Sequence, residues 1–224
     1  MDDADFLATY DPARYDRPSV AVDIVVLGIV QGRPAALLSR RDRPPFAGHW
    51  ALPGGFVGIA ESLDDAARRI LAARTGIAAA VEQLHCFGAV DRDPRMRIVS
   101  VAYRALLSPA MLAAVPTDAD RAFVALDGAG GDGLPPLAFD HAAILGTALR
   151  RLRRDIDAEA FGLLGDDFTL RELQAVHEAV LGRALNKPAF RRRMLDSGRI
   201  APTGTHESGT AFRPAARYRA TTKE

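Results

Sequence analysis

The sequence contains little cysteine, no long apolar run and no strong net charge. Its single cysteine, Cys86, excludes an internal disulfide framework, and the neighbouring Leu84 and Phe87 predict that it is a small buried hydrophobic residue. No apolar run approaches the roughly 18 residues that a membrane span requires. The acidic N-terminus, MDDADFLATYD, lacks the basic start and apolar centre of a signal peptide. These absences predict a cytoplasmic protein with no membrane partner.

Charge is unevenly distributed, although the net charge of the 224-residue chain is only +1. Residues 1–145 carry 14 Lys and Arg against 18 Asp and Glu, which is a net charge of −4. Residues 146–224 carry 15 against 10, which is a net charge of +5. A basic C-terminal part on a mildly acidic body indicates either a polyanion partner for that part or an ordinary solvated surface.

One stretch, residues 52–77, organises the first part of the chain and reads LPGGFVGIAESLDDAARRILAARTGI. The turn Pro53-Gly54-Gly55 is expected to adopt backbone conformations that side chains forbid and to let a ligand come close. Ser62 is a good N-cap, and apolar residues then recur at helical spacing until Gly76 ends the helix. The stretch therefore predicts a glycine turn followed by an amphipathic helix.

This stretch resembles the Nudix box, in which glycine, glutamate, arginine and aliphatic residues occur at fixed spacings. The matching positions are Gly55, Glu61, Arg69, Leu71, Gly76 and Ile77. The three helix glutamates of the box are replaced by Ile70, Ala73 and Arg74. In Nudix hydrolases those carboxylates hold Mg²⁺, a hard ion that requires oxygen ligands, beside a diphosphate. The departure predicts a binding site rather than an enzyme, with no metal and no cofactor.

A phosphate group is expected to bind next to the glycine turn. Arg40, Arg41 and Arg43 precede the turn, so guanidinium groups and backbone N–H groups can meet a phosphate together. The alternative for these arginines is surface charge at a strand end. Phe46 and Trp50 are expected either to wall the site and stack on a base or to be plain core aromatics. The predicted effector-binding residues are Arg40, Arg41, Phe46, Trp50, Gly54, Gly55, Phe56, Glu61 and Arg69.

The rest of the first part fits an α/β/α sandwich, which is the fold that the Nudix resemblance implies. Strands are predicted at residues 19–30 (a central strand buried on both faces), 35–41, 81–90 and 97–107. Residues 1–18 are expected to form an irregular arm, and residues 127–137 a flexible loop. Asp140 is expected to cap a helix with an apolar stripe. The outer arginines of that helix, Arg150, Arg151, Arg153 and Arg154, are either a solvated face or a phosphate contact.

The basic C-terminal part has the pattern of two helices and a hairpin. Thr169 and Glu172 form a capping box, and Asn186 can cap a second helix, KPAFRRRMLDSG. Phe190 and Met194 are four residues apart and therefore face the core together. The basic residues of the second helix then share an outer surface. The predicted DNA-binding residues are Thr169, Arg171, Asn186, Lys187, Arg191, Arg192, Arg213, Arg217 and Arg219.

Helix, short turn, basic helix and basic hairpin are the layout of a winged helix-turn-helix DNA-binding domain. The alternative is a small helical bundle that is basic by chance. We predict two domains with separate cores: a Nudix-like effector-binding domain at residues 1–155 and a winged helix-turn-helix domain at residues 156–224.

Both domains together resemble the NrtR family, the Nudix-related transcriptional regulators of NAD metabolism. The stretches that carry the resemblance are PSVAVDIVVL, LLSRRDRPPFAGHWALPGGFV, DRDPRMRIVSVAY, LAFDHAAIL, FTLRELQAVHEAVLGRALNKPAFRRRML and RPAARYR. It implies a homodimeric repressor of genes of NAD biosynthesis or salvage. Such a repressor binds a palindromic operator in double-stranded DNA and senses ADP-ribose or a related NAD-derived nucleotide. The alternative is a hydrolase of ADP-ribose or a related nucleoside diphosphate, with relocated metal ligands among Glu61, Glu82, Asp91 and Asp93.

Overall fold

The structure is a computed structural model that describes residues 2–126, 133–207 and 214–221. Its strands are β1 (Ser19–Val30), β2 (Arg33–Arg40), β3 (Trp50–Ala51), β4 (Gly54–Phe56), β5 (Glu82–Phe87), β6 (Ile98–Leu106), β7 (Arg121–Ala125), β8 (Phe168–Thr169), β9 (Ile200–His206) and β10 (Ala216–Ala220). Its helices are α1 (Asp3–Thr9), α2 (Leu63–Thr75), α3 (Pro109–Ala114), α4 (His141–Arg154), α5 (Ile156–Glu159), α6 (Leu170–Leu181) and α7 (Lys187–Asp196). Short 3-10 helices occur at Pro12–Arg14 and Ala160–Leu163.

Strand β1 is the centre of a mixed sheet formed by β1 to β7. It runs parallel to β6 and antiparallel to β2 and β4. The order of the sheet is β3-β2-β1-β6-β5, with β7 also paired to β2. Residues 22–28 of β1 are buried, as predicted for a central strand covered on both faces.

The two faces of this sheet are covered by different helices, because successive side chains of a strand point in opposite directions. Val22, Ile24 and Val26 belong to the buried cluster that contains the apolar stripe of α2. Val25 and Leu27 belong to the cluster that contains the stripe of α4. The sheet therefore lies between α2 and α4, which is the predicted α/β/α sandwich. We call residues 2–155 with this fold the body.

Helix α2 has the predicted ends. The Ser62 hydroxyl accepts a hydrogen bond of 3.1 Å from the backbone N–H of Asp65. Gly76 ends the helix with a φ of +74°, in the left-handed region that favours glycine. A serine N-cap of this kind contributes about 1 kcal/mol. The Nudix-box stretch therefore folds locally as its sequence indicates.

The C-terminal part is a winged helix-turn-helix, as predicted. Its sheet has the order β8-β10-β9, and β9 and β10 form the antiparallel wing. The capping box of Thr169 and Glu172 starts α6, and the Asn186 side chain caps α7. Phe190 and Met194 are both buried in the core. We call β8 to β10 with α6 and α7 the winged helix.

The body and the winged helix share one apolar core, so the prediction of two separate cores was wrong. A single cluster of buried residues runs from β1 through α4 and α5 to α6 and α7. Leu152, Ile156 and Leu173 are members of it. In addition, Nε of Arg153 in α4 donates a hydrogen bond of 3.1 Å to the carbonyl of Val180 in α6. The domain boundary at residue 155 stays a prediction.

Several local features differ from the sequence predictions. The expected irregular arm contains α1, whose first turn is capped by the Asp2 carboxylate. Cys86 is exposed rather than buried, because β5 is an edge strand of the sheet. Residues 127–132 of the expected flexible loop lie outside the described residues. In the ranges that the structure does describe, no helix has both the length and the apolar character needed to cross a membrane.

The start and the outer side of α4 also differ from expectation. The Asp140 side chain makes no capping hydrogen bond, because Arg92 binds its carboxylate. Arg151 pairs with Glu82 of β5, and Arg153 bonds α6, so these two arginines serve contacts within the protein. The α4 arginines therefore do not form one solvated face.

Candidate anion-binding pocket and nucleic-acid interface

A cavity of about 190 Å³ opens in the body where the start of β1, strand β4 and the N-terminus of α4 meet. Segments that are far apart in sequence supply its walls, because the sheet order brings β4 and the loop before β6 to β1. Its ionisable lining residues are Asp23, Arg41, Arg92, Asp93, Arg95 and His141. This density of charge in a cleft marks a candidate binding site.

Asp23 of β1 forms the floor of the cavity and is 7% exposed. The Ser100 hydroxyl donates a hydrogen bond of 2.6 Å to Oδ2, and Nη2 of Arg92 lies 3.4 Å from the same oxygen. Nε2 of His141 lies 3.5 Å from Oδ1. Burial raises the pKa of Asp23, but its interactions with His141, the hydrogen bond from Ser100 and the charge of Arg92 outweigh it, so the pKa lies below its ordinary value. Asp23 is therefore ionised at neutral pH.

His141 is oriented by a backbone group. The N–H of Leu52 donates a hydrogen bond of 3.0 Å to Nδ1 of His141. Because Nδ1 accepts, the ring hydrogen of the neutral imidazole is on Nε2, which faces Asp23. The first residue of α4 is thereby fixed to both β1 and the segment before β4.

Gly54 and Gly55 do not form the predicted turn with special backbone angles. They pair with Asp23 and Val22 as strand β4, and neither has a positive φ. A Cβ added to Gly54 would lie 2.3 Å from Oδ1 of Asp23. Glycine is required at position 54 because the Asp23 carboxylate occupies the space of a side chain. The glycine pair brings backbone close to the floor of the pocket rather than supplying a flexible turn.

At the rim of the pocket, two arginine side chains lie next to one aromatic ring. The Arg41 guanidinium carbon lies 4.9 Å from the centre of the Phe139 ring, and that of Arg95 lies 5.8 Å from it. Phe139 has a φ of +54° and packs edge-on against Phe46, whose φ is +62°. Such left-handed angles in non-glycine residues cost about 1–3 kcal/mol each, and they cluster at binding sites. The strain makes this rim a candidate functional surface.

Arg41 differs from the other two arginines of the pocket in its partners. Arg95 makes bonds of 2.9 and 2.7 Å to Asp93, and Arg92 makes bonds of 2.9 and 2.6 Å to Asp140. Arg41 donates to the backbone carbonyls of residues 45 and 43, and no carboxylate in the described ranges hydrogen-bonds to it. Burial and the neighbouring charge of Arg95 lower the pKa of Arg41. An entering anion would neutralise this charge without first displacing a carboxylate.

The pocket contains four of the nine predicted effector-binding residues: Arg41, Gly54, Gly55 and Phe56. The other five do not line it: Arg40, Phe46, Trp50, Glu61 and Arg69. Their role in effector binding stays a prediction, and the structure gives each of them a structural contact.

Arg40 and Trp50 contact each other beside the pocket. The Arg40 guanidinium carbon lies 5.4 Å from the centre of the Trp50 ring, and its Nε lies 3.5 Å from Asp120. The backbone of Trp50 bonds the segment before α4 through Pro136 and Ala138. This pairing holds the Phe139 segment next to β3.

Glu61 and Arg69 form an ion pair with each other. Glu61 also accepts a bond of 2.7 Å from the N–H of Gly58, and Arg69 donates one of 3.2 Å to the carbonyl of Phe56. The hydrogen bond from Arg69 and the one from Gly58 hold the pKa of Glu61 below its ordinary value. The pair fixes the loop that follows β4.

The helix positions that hold Mg²⁺ in Nudix hydrolases do not fit a metal here. Ile70 is 4% exposed, and its Cδ1 would lie 3.4 Å from a Cβ on Gly55. Ala73 and Arg74 offer no oxygen ligand either. Across the described ranges, no three His, Cys, Asp or Glu side chains are arranged to hold a metal ion. The donor set of α2 is therefore unsuited to Mg²⁺.

Three of the four carboxylates that the hydrolase alternative names as metal ligands pair with arginines instead. Glu82 pairs with Arg104 and Arg151, and Asp93 pairs with Arg95. Asp91 is exposed on the loop before β6. Together with Glu61 they form no metal-binding group.

The lining residues that sequence reasoning did not assign to any site include five that are charged or aromatic: Asp23, Arg92, Arg95, Phe139 and His141. Asp23 is the one charged residue in the apolar run SVAVDIVVLGIV, which was a usable signal. Arg92 and Arg95 lie in DRDPR, where the sequence analysis assigned a possible role only to the two aspartates. Phe139 and His141 flank Asp140 at the start of α4, and no local pattern distinguishes them from ordinary residues of a helix start.

A second cavity, of about 650 Å³, lies in the winged helix between α6, α7 and the wing. Lys187 and Arg191 of α7 line it, four residues apart, together with Arg171 and His206. Arg192 is exposed but does not line this cavity, because it projects from the side of α7 opposite Phe190. The predicted shared surface of Lys187, Arg191 and Arg192 is thus divided between a flank and an outer side of α7.

The other predicted DNA-binding residues have different surroundings. Thr169 is 0% exposed and serves as the cap of α6, so its side chain is inaccessible to DNA, which corrects that prediction. Arg171 pairs with Glu207, and Arg217 makes two bonds of 2.7 Å to the Asp167 carboxylate. Arg219 is exposed. Asn186 caps α7, and Arg213 lies outside the described residues.

Comparison with known proteins finds two family models along the chain. Residues 17–147 match the NUDIX domain. Residues 160–220 match the NrtR DNA-binding winged helix domain. The first match lies within the body, and the second contains the winged helix.

Three related proteins are informative. The chain is 37% identical over 221 residues to the ADPR responsive transcriptional repressor NtrR of Acinetobacter baylyi, covering 96% of this chain and 86% of that protein. It is 34% identical over 137 residues to the ADP-ribose pyrophosphatase of Methanocaldococcus jannaschii, covering 61% and 76%. Shewanella oneidensis NrtR complexed with a 27mer DNA is 32% identical with a TM-score of 0.76, covering 90% and 93%. The NUDIX domain of that protein complexed with ADP ribose is 36% identical with a TM-score of 0.57, covering 68% and 99%.

Proposed function

The chain belongs to the NrtR family, and on that premise we propose that it is a cytoplasmic repressor of genes of NAD biosynthesis or salvage. The winged helix binds double-stranded DNA, and the body senses ADP-ribose or a related NAD-derived nucleotide. The observation that carries the proposal is an arginine-rimmed pocket, centred on Arg41 and Phe139, in a Nudix fold without the oxygen ligands for Mg²⁺. Because this pocket is in the same chain as a winged helix, nucleotide binding in the body can alter DNA binding.

The pocket suits part of a nucleoside diphosphate. Arg41 is placed to meet a phosphate, since a guanidinium fork binds phosphate oxygens in pairs. The exposed ring of Phe56 offers a surface for a base or a ribose. A volume of about 190 Å³ is smaller than a typical small-molecule site of about 300–1,000 Å³. We therefore propose that the phosphates of the nucleotide bind inside the pocket and that one of its nucleosides lies over the rim.

Sensing is favoured over hydrolysis by the chemistry of α2. Ile70 and Ala73 supply no ligand, and Arg74 puts a permanent positive charge at the third position. The pyrophosphatase relative matches 61% of this chain, whereas the repressor relative matches 96% of it. Binding without turnover is what a sensor of a metabolite requires.

Replacing Arg41 with alanine should weaken ADP-ribose binding about tenfold. The lost interaction is one charge-assisted contact at a partly solvated rim, worth about 1.5 kcal/mol. Isothermal titration of ADP-ribose into the two proteins measures the change. Arg68→Ala is the matched control, because Arg68 is an exposed, ion-paired arginine on α2 outside the pocket. If Arg41→Ala and the wild type bind ADP-ribose with equal affinity, then Arg41 does not contact the ligand.

The protein is expected to act as a homodimer on a palindromic operator. One winged helix makes few base contacts, so specificity normally comes from two copies about one helical turn apart. Light scattering should give twice the 24.0 kDa mass of one chain at micromolar concentration. A mass of one chain, both with and without DNA, contradicts this expectation.

The central test is a gel shift with DNA from upstream of NAD-biosynthesis genes, with and without ADP-ribose. We expect a specific complex whose stability changes when ADP-ribose is added. Unrelated DNA of equal length is the control for binding through phosphate charge alone. A protein that binds both DNAs equally and ignores ADP-ribose is not the proposed repressor.

A further inference from the structure

Asp140 stands at the capping position of α4, but its side chain accepts no hydrogen bond from an N–H group of the helix. Ser62, Ser108 and Thr169, at the equivalent positions of α2, α3 and α6, each accept a hydrogen bond from a backbone N–H of their helix. Asp140 has a φ of −96° and a ψ of 21°, unlike the extended backbone of those caps. Its carboxylate instead makes the bonds of 2.6 and 2.9 Å to Arg92. The Asp140 carboxylate thus bonds a distant arginine where the other caps bond their own helix.

Arg92 connects this carboxylate to the pocket. Its side chain is 4% exposed, lines the cavity, and also lies 3.4 Å from the Asp23 carboxylate. A diphosphate offers paired anionic oxygens, which are the acceptors that a guanidinium fork binds best. A phosphate that reached Arg92 from the cavity would compete with Asp140 for its guanidinium.

Helix α4 leads from the pocket to the winged helix. Its first residue, His141, is fixed at the pocket floor, and near its other end Arg153 bonds the carbonyl of Val180 in α6. Fourteen residues of α-helix span about 21 Å. The apolar stripe of α4 lies in the same buried cluster as the cores of α6 and α7. A packed helix of this kind moves as a rigid element.

The segment directly after α4 holds both helices of the DNA-binding motif. Oδ1 of Asp157 in α5 lies 3.1 Å from Nε2 of His177 in α6. Oδ2 of the same carboxylate lies 3.3 Å from Nη1 of Arg193 in α7. A shift of α4 therefore reaches α6 and α7 through polar contacts as well as through the shared core.

We infer that Asp140 is the residue that couples effector binding to the winged helix. An effector phosphate takes Arg92 from Asp140, the released carboxylate turns to cap α4, and α4 shifts the winged helix with it. Two alternative partners for one carboxylate would give two discrete arrangements, as a switch requires. The inference rests on the proposed function, since it takes ADP-ribose as the effector and operator DNA as the target.

The test is Asp140→Ser, which keeps a strong cap but removes the charge that binds Arg92. ADP-ribose affinity is measured by titration, and operator affinity is measured with and without saturating ADP-ribose. In the wild type we expect the effector to change operator affinity about 5- to 150-fold. The variant without effector should already show the operator affinity of the effector-bound wild type. Adding ADP-ribose should change the operator affinity of the variant by less than about twofold. The variant should also bind ADP-ribose more tightly than the wild type does.

Asp65→Asn is the matched control, because Asp65 lies in the first turn of α2 and pairs with Arg68 outside the pocket. It should keep the wild-type coupling. Asp140→Asn is the second variant and should behave as Asp140→Ser does. Wild-type coupling in a folded Asp140 variant overturns the inference. Loss of folding in both variants also overturns it, because a pair that folding requires cannot be released by a ligand. A wild type that binds neither ADP-ribose nor the operator refutes the proposed function instead.

Discussion

ADP-ribose incubated with the protein and Mg²⁺ should remain intact for hours. The three helix positions that carry glutamates in Nudix hydrolases hold Ile70, Ala73 and Arg74. Ile70 is buried beside Gly55, and Arg74 carries a charge that repels a cation. Glu61, the remaining carboxylate, is already bound by Arg69. Mg²⁺ requires several oxygen ligands, so the metal that polarises the diphosphate is not held.

Chromatography of the nucleotides after incubation measures this directly. The ADP-ribose pyrophosphatase of Methanocaldococcus jannaschii, which is 34% identical over 137 residues, is a suitable positive control. Turnover at an ordinary enzyme rate, about 1 per second or faster, contradicts the expectation. Restoring Ile70→Glu, Ala73→Glu and Arg74→Glu together should give measurable Mg²⁺ binding. Because Ile70 is only 4% exposed, a glutamate at this position places a charge in the core. A melting curve therefore checks that the triple variant is still folded.

Sequence patterns predicted those parts of the fold that depend on nearby residues. The caps Ser62 and Asn186 and the capping box of Thr169 with Glu172 are formed as expected, because each requires groups three residues apart. The central strand β1 was also recognisable, because burial on both faces gives an uninterrupted apolar run. Local chemistry was sufficient for these elements.

The pocket could not be predicted in the same way, because its residues are distant in sequence. Asp23, Arg92 and His141 meet only because β1, the loop before β6 and the start of α4 lie side by side. Asp140 shows the physical reason most clearly. Its local sequence favours a helix cap, but a buried arginine 48 residues away binds the carboxylate more strongly than an exposed N–H group would. Tertiary charge pairing overrode a local preference.

Replacing Arg191 with alanine should weaken operator binding strongly and flatten the preference at one base position. Phe190 and Met194 anchor α7 in the core, which fixes Arg191 on the flank of α7 beside the wing. We expect it to bind a guanine through a bidentate pair, whose loss costs about 1–3 kcal/mol. A homodimer carries the substitution in both half-sites, so the total is roughly 2–6 kcal/mol. Arg192→Ala tests the outer side of α7 in the same way.

The wing should behave differently, and a salt series separates the two roles. Arg219 is exposed, so we expect it to contact phosphate, and its loss should weaken all sequences alike and lower the salt slope by about one. Arg68→Ala in the body removes the same charge away from the winged helix and should change neither quantity. ADP-ribose affinity should be unchanged in all of these variants, because none of them alters the pocket. If Arg191→Ala and Arg192→Ala both bind operator and random DNA as the wild type does while remaining folded, then α7 does not read the bases, and specificity must come from another element of the winged helix.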